Sequence, residues 1–375
     1  MKSYETAIIG AGISGLACAK KLQDNNKDFI VISENIGGRI LTSKDGKNNY
    51  GAFFVCSDYH NMLKYVTVKS RIKLSDFCFH DKKMSYVLYE ISLLPYLSQF
   101  FRVKNYLYKF RKSLRRLRES AQYISQKKAI ENDSFLYNLY MQNALDFVEN
   151  NNLEKGTKKY LSQALYSTTF SNINQMNAFS YLQFLIPLIT PIYTFKFERD
   201  KMIDSFKDKI KIDTVKNLEF KNGLYKIYME EKTIIAKKVV LATQINWSKN
   251  FCAISKTNKS ISTNMLHVKG DLIIKHSQKL YHLFTPPSNT QAIANLKDGS
   301  FLFYFKENQP NLDNYSLNPK VLAHHFWNPA GTINGHNLIE CKRSENLYLI
   351  GDYNIAGLEE SYITGLYAAN NILQI

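Results

Sequence analysis

Apolar residues gather in short runs near both ends of the chain and in amphipathic stretches between them. Ala7–Ile9 is an uninterrupted apolar run and predicts a buried parallel strand. Leu16–Leu22 has helical composition, and Phe29–Ser33 predicts a second strand. Lys211–Leu218, Gly223–Met229 and Lys238–Ala242 are strand-like. Leu347–Ile350 predicts a buried strand and Ser361–Ile372 a helix. In the middle, Leu107, Phe110, Leu114 and Leu117 recur at three- and four-residue intervals, so Phe101–Lys128 predicts helix with one buried stripe. Met265–Lys275, Ser300–Phe305 and His324–Trp327 predict further strands. Asn177–Phe195 is almost free of charge, but Pro187 and Pro191 interrupt it. It is too broken for a spanning helix and predicts core, or the wall of an apolar tunnel.

Between the first strand and the first helix lies Gly10-Ala11-Gly12-Ile13-Ser14-Gly15, a G-x-G-x-x-G in its required setting. Gly10 permits the tight turn, Gly12 lets the backbone approach a pyrophosphate, and Gly15 lets helix and strand pack closely. The phosphates then meet free N–H groups at a helix N-terminus. Glu34 closes the second strand about 20 residues on, where a carboxylate accepts from ribose hydroxyls. These residues predict an α/β, Rossmann-type dinucleotide-binding domain.

The next residues, Asn35-Ile36-Gly37-Gly38-Arg39-Ile40, resemble the acid-then-G-G-R segment of the flavin amine oxidase superfamily. That superfamily includes monoamine and polyamine oxidases, protoporphyrinogen oxidase and phytoene desaturases. Leu347–Asp352 (LYLIGD) and Lys237–Thr243 (KKVVLAT) resemble two more of its segments, and Tyr50-Gly51-Ala52-Phe53 its glycine-aromatic segment beside the flavin. The resemblance implies FAD. Glu34 would bind ribose, Arg39 would sit by the pyrophosphate, and Gly37 and Gly38 would let the backbone pass close to the cofactor. Gly51 and Ala52 would run by the flavin, and Val215 would bond adenine through its backbone. Gly351 and Asp352 would meet the ribityl–phosphate region, with Tyr362 and Ile363 at the flavin edge. Lys269, on a strand of the second domain, would hold a water at flavin N5, and His267 would share its strand face. His325 and Trp327 also share one face and could line the pocket.

The chain departs from that pattern in places. Asn35 stands where a basic residue is common. Leu358 stands where amine oxidases often place an aromatic, and Glu360 and Ser361 replace a small pair. The spacing of Glu359, Gly365 and Ala368-Ala369 fits. The resemblance implies an FAD-binding domain assembled from discontinuous segments, 1–75, 205–255 and 335–375, with an α+β substrate domain from 76–204 and 256–334.

Composition narrows the picture. A chain of 375 residues, 45% apolar, can bury two cores. Its five cysteines are scattered and show no C-x-x-C, which predicts reduced thiols. Cys341 lies closer to Gly351 than the flavin-linking cysteine of some amine oxidases, so FAD is expected to be non-covalent. No H-x-x-x-H, G-x-S-x-G or Walker A sequence is present, and no metal is expected. The first strand starts so early that no signal peptide precedes it, which predicts a cytoplasmic protein. Net charge is +17, read either as a Lys/Asn compositional bias or as attraction to polyanions. Residues 101–128 carry ten bases and would be either a solvated face or a weak contact with anionic membrane. No specific nucleic-acid contact is expected.

The function these features predict is an FAD-dependent oxidoreductase. It would oxidise a C–N or C–C bond of a small molecule by hydride transfer to flavin N5 and return electrons to oxygen or another acceptor. Three alternatives stand beside it: a desaturase- or protoporphyrinogen-oxidase-like enzyme on a bulky apolar substrate, a non-redox flavoprotein of the sugar-mutase type, and a binding protein stabilised by FAD.

Overall fold

The computed structural model describes residues 2–82, 84–88 and 91–374. Two large sheets and a helical layer organise it. The first sheet has five parallel strands side by side in the order Leu347–Leu349, Thr233–Leu241, Ser3–Ala11, Phe29–Ile36 and Ile210–Ile212. Ala7 stands opposite Val239 on one side and Ile30 on the other. A strand paired on both edges, with Ala7 and Ile8 fully buried, needs the continuous apolar run that marks it in the sequence. The antiparallel strands Val215–Lys221 and Leu224–Met229 extend from Thr233–Leu241.

The helix Ile13–Asp24 packs against the last helix, Leu358–Leu373. Their crossing is close because Gly365 has no side chain: a Cβ there would lie 2.2 Å from the Ser14 carbonyl oxygen. The last helix begins at Leu358, three residues earlier than its composition suggests. Gly357 caps it with φ of 137°, a conformation open to glycine.

The second sheet is formed of seven strands in the order Ser316–Asn334, Lys259–Leu272, Ser300–Phe305, Thr290–Asn295, Tyr281–Phe284, Phe77–His80 and Ser85–Val87. Its central strands alternate. Leu266, Val268, Phe301 and Phe303 fill a core on one face. Met265, Leu302 and Tyr304 point to the other face, toward Tyr50. The predicted strand Met265–Lys275 starts six residues late and overruns the observed Lys259–Leu272 by three, while His324–Trp327 is part of the long strand Ser316–Asn334; the two strands pair antiparallel, Met265 with His325 and Thr263 with Trp327.

The helical layer holds the predicted stripe. Leu107, Phe110, Leu114 and Leu117 are buried in one cluster with residues of the following helices. The helix runs Leu97–Ser120, and a new one starts at Gln126, where the Ser125 hydroxyl accepts from the Lys128 N–H. Asn177–Phe195 splits as its prolines demand. Ala178–Leu185 is helix, Pro187 sits in a single 3₁₀ turn, and Ile192–Phe197 is a strand. Phe179, Tyr181 and Leu182 enter the helical core.

Candidate functional site

A cavity of about 1920 Å³ lies between the two sheets. Ordinary small-molecule sites occupy roughly 300–1,000 Å³, so this one has room for a dinucleotide and a second molecule.

One end is built from glycines. Gly10 has φ of 107°, and a Cβ on it would fall 2.4 Å from the Ala242 carbonyl oxygen. A Cβ on Gly15 would lie 2.0 Å from the Gly10 oxygen, so Gly15 serves packing and does not line the cavity. Gly12 differs: a Cβ there would meet nothing within 4 Å and would project into cavity space. The Gly37 N–H donates to the Ala11 oxygen at 2.8 Å, which folds the Gly-Gly-Arg loop over the first turn. A Cβ on Gly51 would fall 2.1 Å from the Arg39 oxygen, so the Gly51-Ala52 segment can lie against that loop. Gly10, Ala11, Gly12, Ile13, Ser14, Glu34, Gly37, Gly38, Arg39, Gly51, Ala52, Val215, Gly351 and Asp352 all line the cavity.

Arg39 joins the two ends of the chain. It lies 2.6 Å from the Asp352 carboxylate and donates to the Ala330 oxygen at 2.8 Å. The carboxylate holds the guanidinium above its ordinary pKa. The Thr364 hydroxyl accepts from the Gly351 N–H at 3.0 Å, tying the Gly-Asp turn to the last helix.

That helix corrects one expectation. Tyr362 and Ile363 do not line the cavity; Leu358 and Ser361 do. With the helix starting at Leu358, successive residues turn by 100°, which places Tyr362 in stacking contact with Tyr65 at 6.1 Å and Ile363 in the helical core. Two carboxylates in its first turn are buried. Glu359 accepts from the backbone N–H groups of His60, Asn61 and Met62. Glu360 receives Arg118 through two guanidinium nitrogens, at 2.6 and 2.9 Å. Burial pushes the Glu360 carboxyl up and the guanidinium opposes it. Nothing in the local sequence around Arg118 marks it apart from the other bases of its helix.

Lys269 is the second correction. It is exposed and is not among the residues lining the cavity. It sits past the covered part of its strand, beside Ser300 and Lys320. His267 turns to the buried side and bonds Tyr50. The Tyr50 hydroxyl and His267 Nδ1 are 3.0 Å apart, and His267 Nε2 and the Ser300 hydroxyl 2.9 Å. The Ser300 hydroxyl donates to Asp298 at 2.5 Å. A carboxylate only accepts, so the order of donors is set: Tyr50 to Nδ1, Nε2–H to Ser300, Ser300 to Asp298. Burial pulls the His267 imidazole below its ordinary pKa, while Asp298 opposes this. Tyr50 lines the cavity and Asp298 is exposed, so the chain of bonds runs from cavity to solvent.

His325 and Trp327 line the cavity, stacked 6.0 Å apart, with Tyr50 5.3 Å from His325. Burial lowers the His325 pKa, which keeps the ring neutral near pH 7. Beyond them the wall is mainly apolar, with Phe77, Phe79, Tyr160, Phe184, Leu188 and Ile189, and Arg71, Lys73 and Lys104 are its cations. The acids among the described lining residues are Glu34, Asp213 and Asp352. All three belong to the glycine-built end or the Val215 edge beside it.

The five cysteines are buried and none lines the cavity. Burial pushes the Cys341 thiol up to about 12. Cys78, His80 and His282 gather on the sheet face away from Phe79 and Leu283, with ligand atoms within 4.8 Å of one another. His80 Nε2 and His282 Nδ1 lie 2.9 Å apart, across a separation of 202 residues that hides the pair from sequence spacing.

A family profile described as an NAD(P)-binding Rossmann-like domain matches residues 8–67. No curated protein matches the sequence. Among solved structures, a putrescine oxidase redesigned in its cofactor binding superposes with a TM-score of 0.70 at 10% identity, covering 100% of both chains. A fatty acid isomerase from P. acnes superposes at 0.68 with 13% identity, covering 97% of each chain. Cyclohexylamine oxidase from Brevibacterium oxydans superposes at 0.62 with 12% identity, covering 98% of this chain and 97% of its own. Likeness at such identities establishes architecture alone: the chain shares the fold of these oxidases and of the isomerase, with an NAD(P)-binding Rossmann-like segment near its start.

Proposed function

We propose that the protein is an FAD-dependent oxidoreductase acting on a bulky apolar small molecule, neutral or anionic, with FAD held non-covalently. The observation that carries the substrate class is the distribution of charge in the cavity. Its carboxylates are confined to the nucleotide end, and the remaining wall is mainly aromatic and aliphatic, with the cations Arg71, Lys73 and Lys104 and no acid among its described lining residues. A cationic amine entering that region would lose its hydration without gaining an anionic partner. An apolar molecule gains from the same surface.

The glycine end fits a dinucleotide. The open position at Gly12, the Gly37–Ala11 bond and the Arg39–Asp352 pair form a cradle that a side chain would fill. Glu34 would bind ribose, Arg39 the pyrophosphate, and Val215 the adenine edge. Ser361 and Leu358, at the N-terminus of the last helix, would face the flavin, where the helix dipole favours negative charge. Bound there, FAD supplies a hydride acceptor. His325 and Trp327 would position the substrate. The Tyr50–His267–Ser300–Asp298 chain would hold the imidazole proton on Nε2 and so fix the Tyr50 hydroxyl as a donor to Nδ1 at the cavity wall. The apolar wall favours C–C over C–N oxidation. Electrons would return to oxygen or another acceptor.

The test is direct. Purified protein is precipitated with acid and the supernatant examined for flavin absorbance. Released flavin supports non-covalent FAD. Anaerobic bleaching is then compared for bulky apolar compounds and for putrescine and cyclohexylamine. Bleaching by the simple amines alone would sink the substrate assignment, and absence of any flavin binding would sink the function.

A further inference from the structure

We infer that the outer stripe of the Leu97–Ser120 helix, with the turn before it, docks on an anionic lipid bilayer and holds the cavity mouth against it. The inference rests on the proposed function only for what the cavity receives; the docking itself stands on the surface.

The mouth is part of this helix. Leu93, Leu97, Phe100, Lys104, Leu107 and Tyr108 line the cavity. Around them the surface is unusually apolar for one exposed to water. Ile91 is 86% exposed, Leu94 61%, Phe101 63% and Tyr108 50%. Single exposed apolar residues are ordinary, but a group of them at one cavity mouth marks a contact surface.

The helix sorts its residues by angle. Leu97, Phe101, Lys104, Tyr108, Lys112 and Arg115 follow one another at intervals of three or four and form one outward stripe. Val103, Phe110 and Leu114 are buried on the opposite side. The stripe is apolar at its start and cationic toward its end, and Glu119 is the first acid of the helix. Arg115 pairs with Glu119, but both side chains are well exposed, 71% and 61%, so the pair yields little and leaves the guanidinium available. Apolar residues beside a cationic run match the two layers of an anionic bilayer surface, acyl boundary and headgroups. A polyanion such as a nucleic acid would use the cations and leave the apolar group wet. Among the described residues no helix is long and apolar enough to cross a membrane, so the contact is interfacial.

The experiment uses the purified full chain incubated with FAD and then freed of unbound FAD, and vesicles of phosphatidylcholine, with and without phosphatidylglycerol. We expect co-sedimentation with the anionic vesicles that weakens at high salt. The variant K112Q/R115Q should bind about tenfold or more weakly, since each basic residue near an anionic surface contributes a factor of roughly 5. The variant I91S/L94S, changed at exposed positions that do not line the cavity, should also bind several-fold more weakly with unchanged thermal melting. Phe101→Trp should shift its fluorescence to the blue on anionic vesicles and be quenched by brominated lipid, above the background of the two native tryptophans. Docking is overturned if no vesicles bind, or if I91S/L94S binds them as the parent does and both bind duplex DNA equally, which would make the face a general polyanion surface. Flavin absorbance of the same samples reports the proposed function separately: vesicle binding without flavin would leave docking standing and remove the oxidoreductase reading.

Discussion

Arg39 and Asp352 meet at 2.6 Å although the two motifs that carry them stand at opposite ends of the chain. The pair lies at the glycine-built end of the cavity, and Arg39 also reaches Ala330 on the long strand of the second sheet. Arg39→Ala should therefore weaken FAD retention. A hydrogen bond to a charged group contributes about 1.5–3 kcal/mol, which is roughly a 10- to 100-fold loss of affinity. Flavin titration of the apoprotein measures it. Asp352→Asn should lose less, because its oxygen still accepts.

Gly12 and Gly15 separate packing from binding. A methyl on Gly15 meets the Gly10 oxygen at 2.0 Å, whereas on Gly12 it meets nothing. Gly15→Ala should lower the melting temperature of the flavin-free protein, with a cost of about 1–3 kcal/mol for overpacking. Gly12→Ala should leave that temperature nearly unchanged and reduce flavin binding. Equal melting losses in both would refute the distinction.

Arg118 and Glu360 are a buried pair, with side chains 10% and 1% exposed. Arg118→Met leaves a carboxylate without its cation and should cost about 3–5 kcal/mol in urea unfolding. The double variant R118M/E360M removes both charges and should recover most of that loss. If it were no more stable than R118M, the pair would not be the source of the cost.

His80 and His282 predict acid sensitivity. Burial lowers His80 to about 4 and His282 to about 3, from an ordinary 6.5. The unfolded chain then binds more protons than the folded one between these values, so stability falls as pH drops through 6.5 and levels off only near pH 3. For His80 alone the loss reaches about 3 kcal/mol by pH 4. His282→Asn keeps an acceptor toward His80 and removes one titration. Its stability should decline less steeply between pH 6 and 4 in chemical denaturation.

The glycine turns, the parallel strands and the acid at Glu34 were legible because each depends on neighbours a few residues away. The phase of the last helix was not. Its start depends on Gly357, and a shift of three residues exchanged Tyr362 and Ile363 for Leu358 and Ser361 at the cavity. Lys269 shows the same limit on a strand: alternation assigns a face correctly, but how far the cover extends along that face is a tertiary fact. His267, Arg118 and Thr364 act through partners far away in sequence, so their own surroundings carry no mark of the role. The long apolar wall was readable as apolar, while its division between core and cavity came from where Pro187 breaks the helix.

The pairing of Ser3–Ala11 with Thr233–Leu241 has a consequence in time. Chains emerge from the ribosome at about 5–20 residues per second, so the first strand waits roughly 10–50 s for that neighbour. Through that interval it has Phe29–Ile36 on one edge and an open apolar edge on the other. An early stop in the last third of the gene would release a chain whose central strand is paired but whose glycine-built cavity end is missing the Gly351–Asp352 turn. Such a chain is a substrate for chaperones and for aggregation, and its fate is decided during translation.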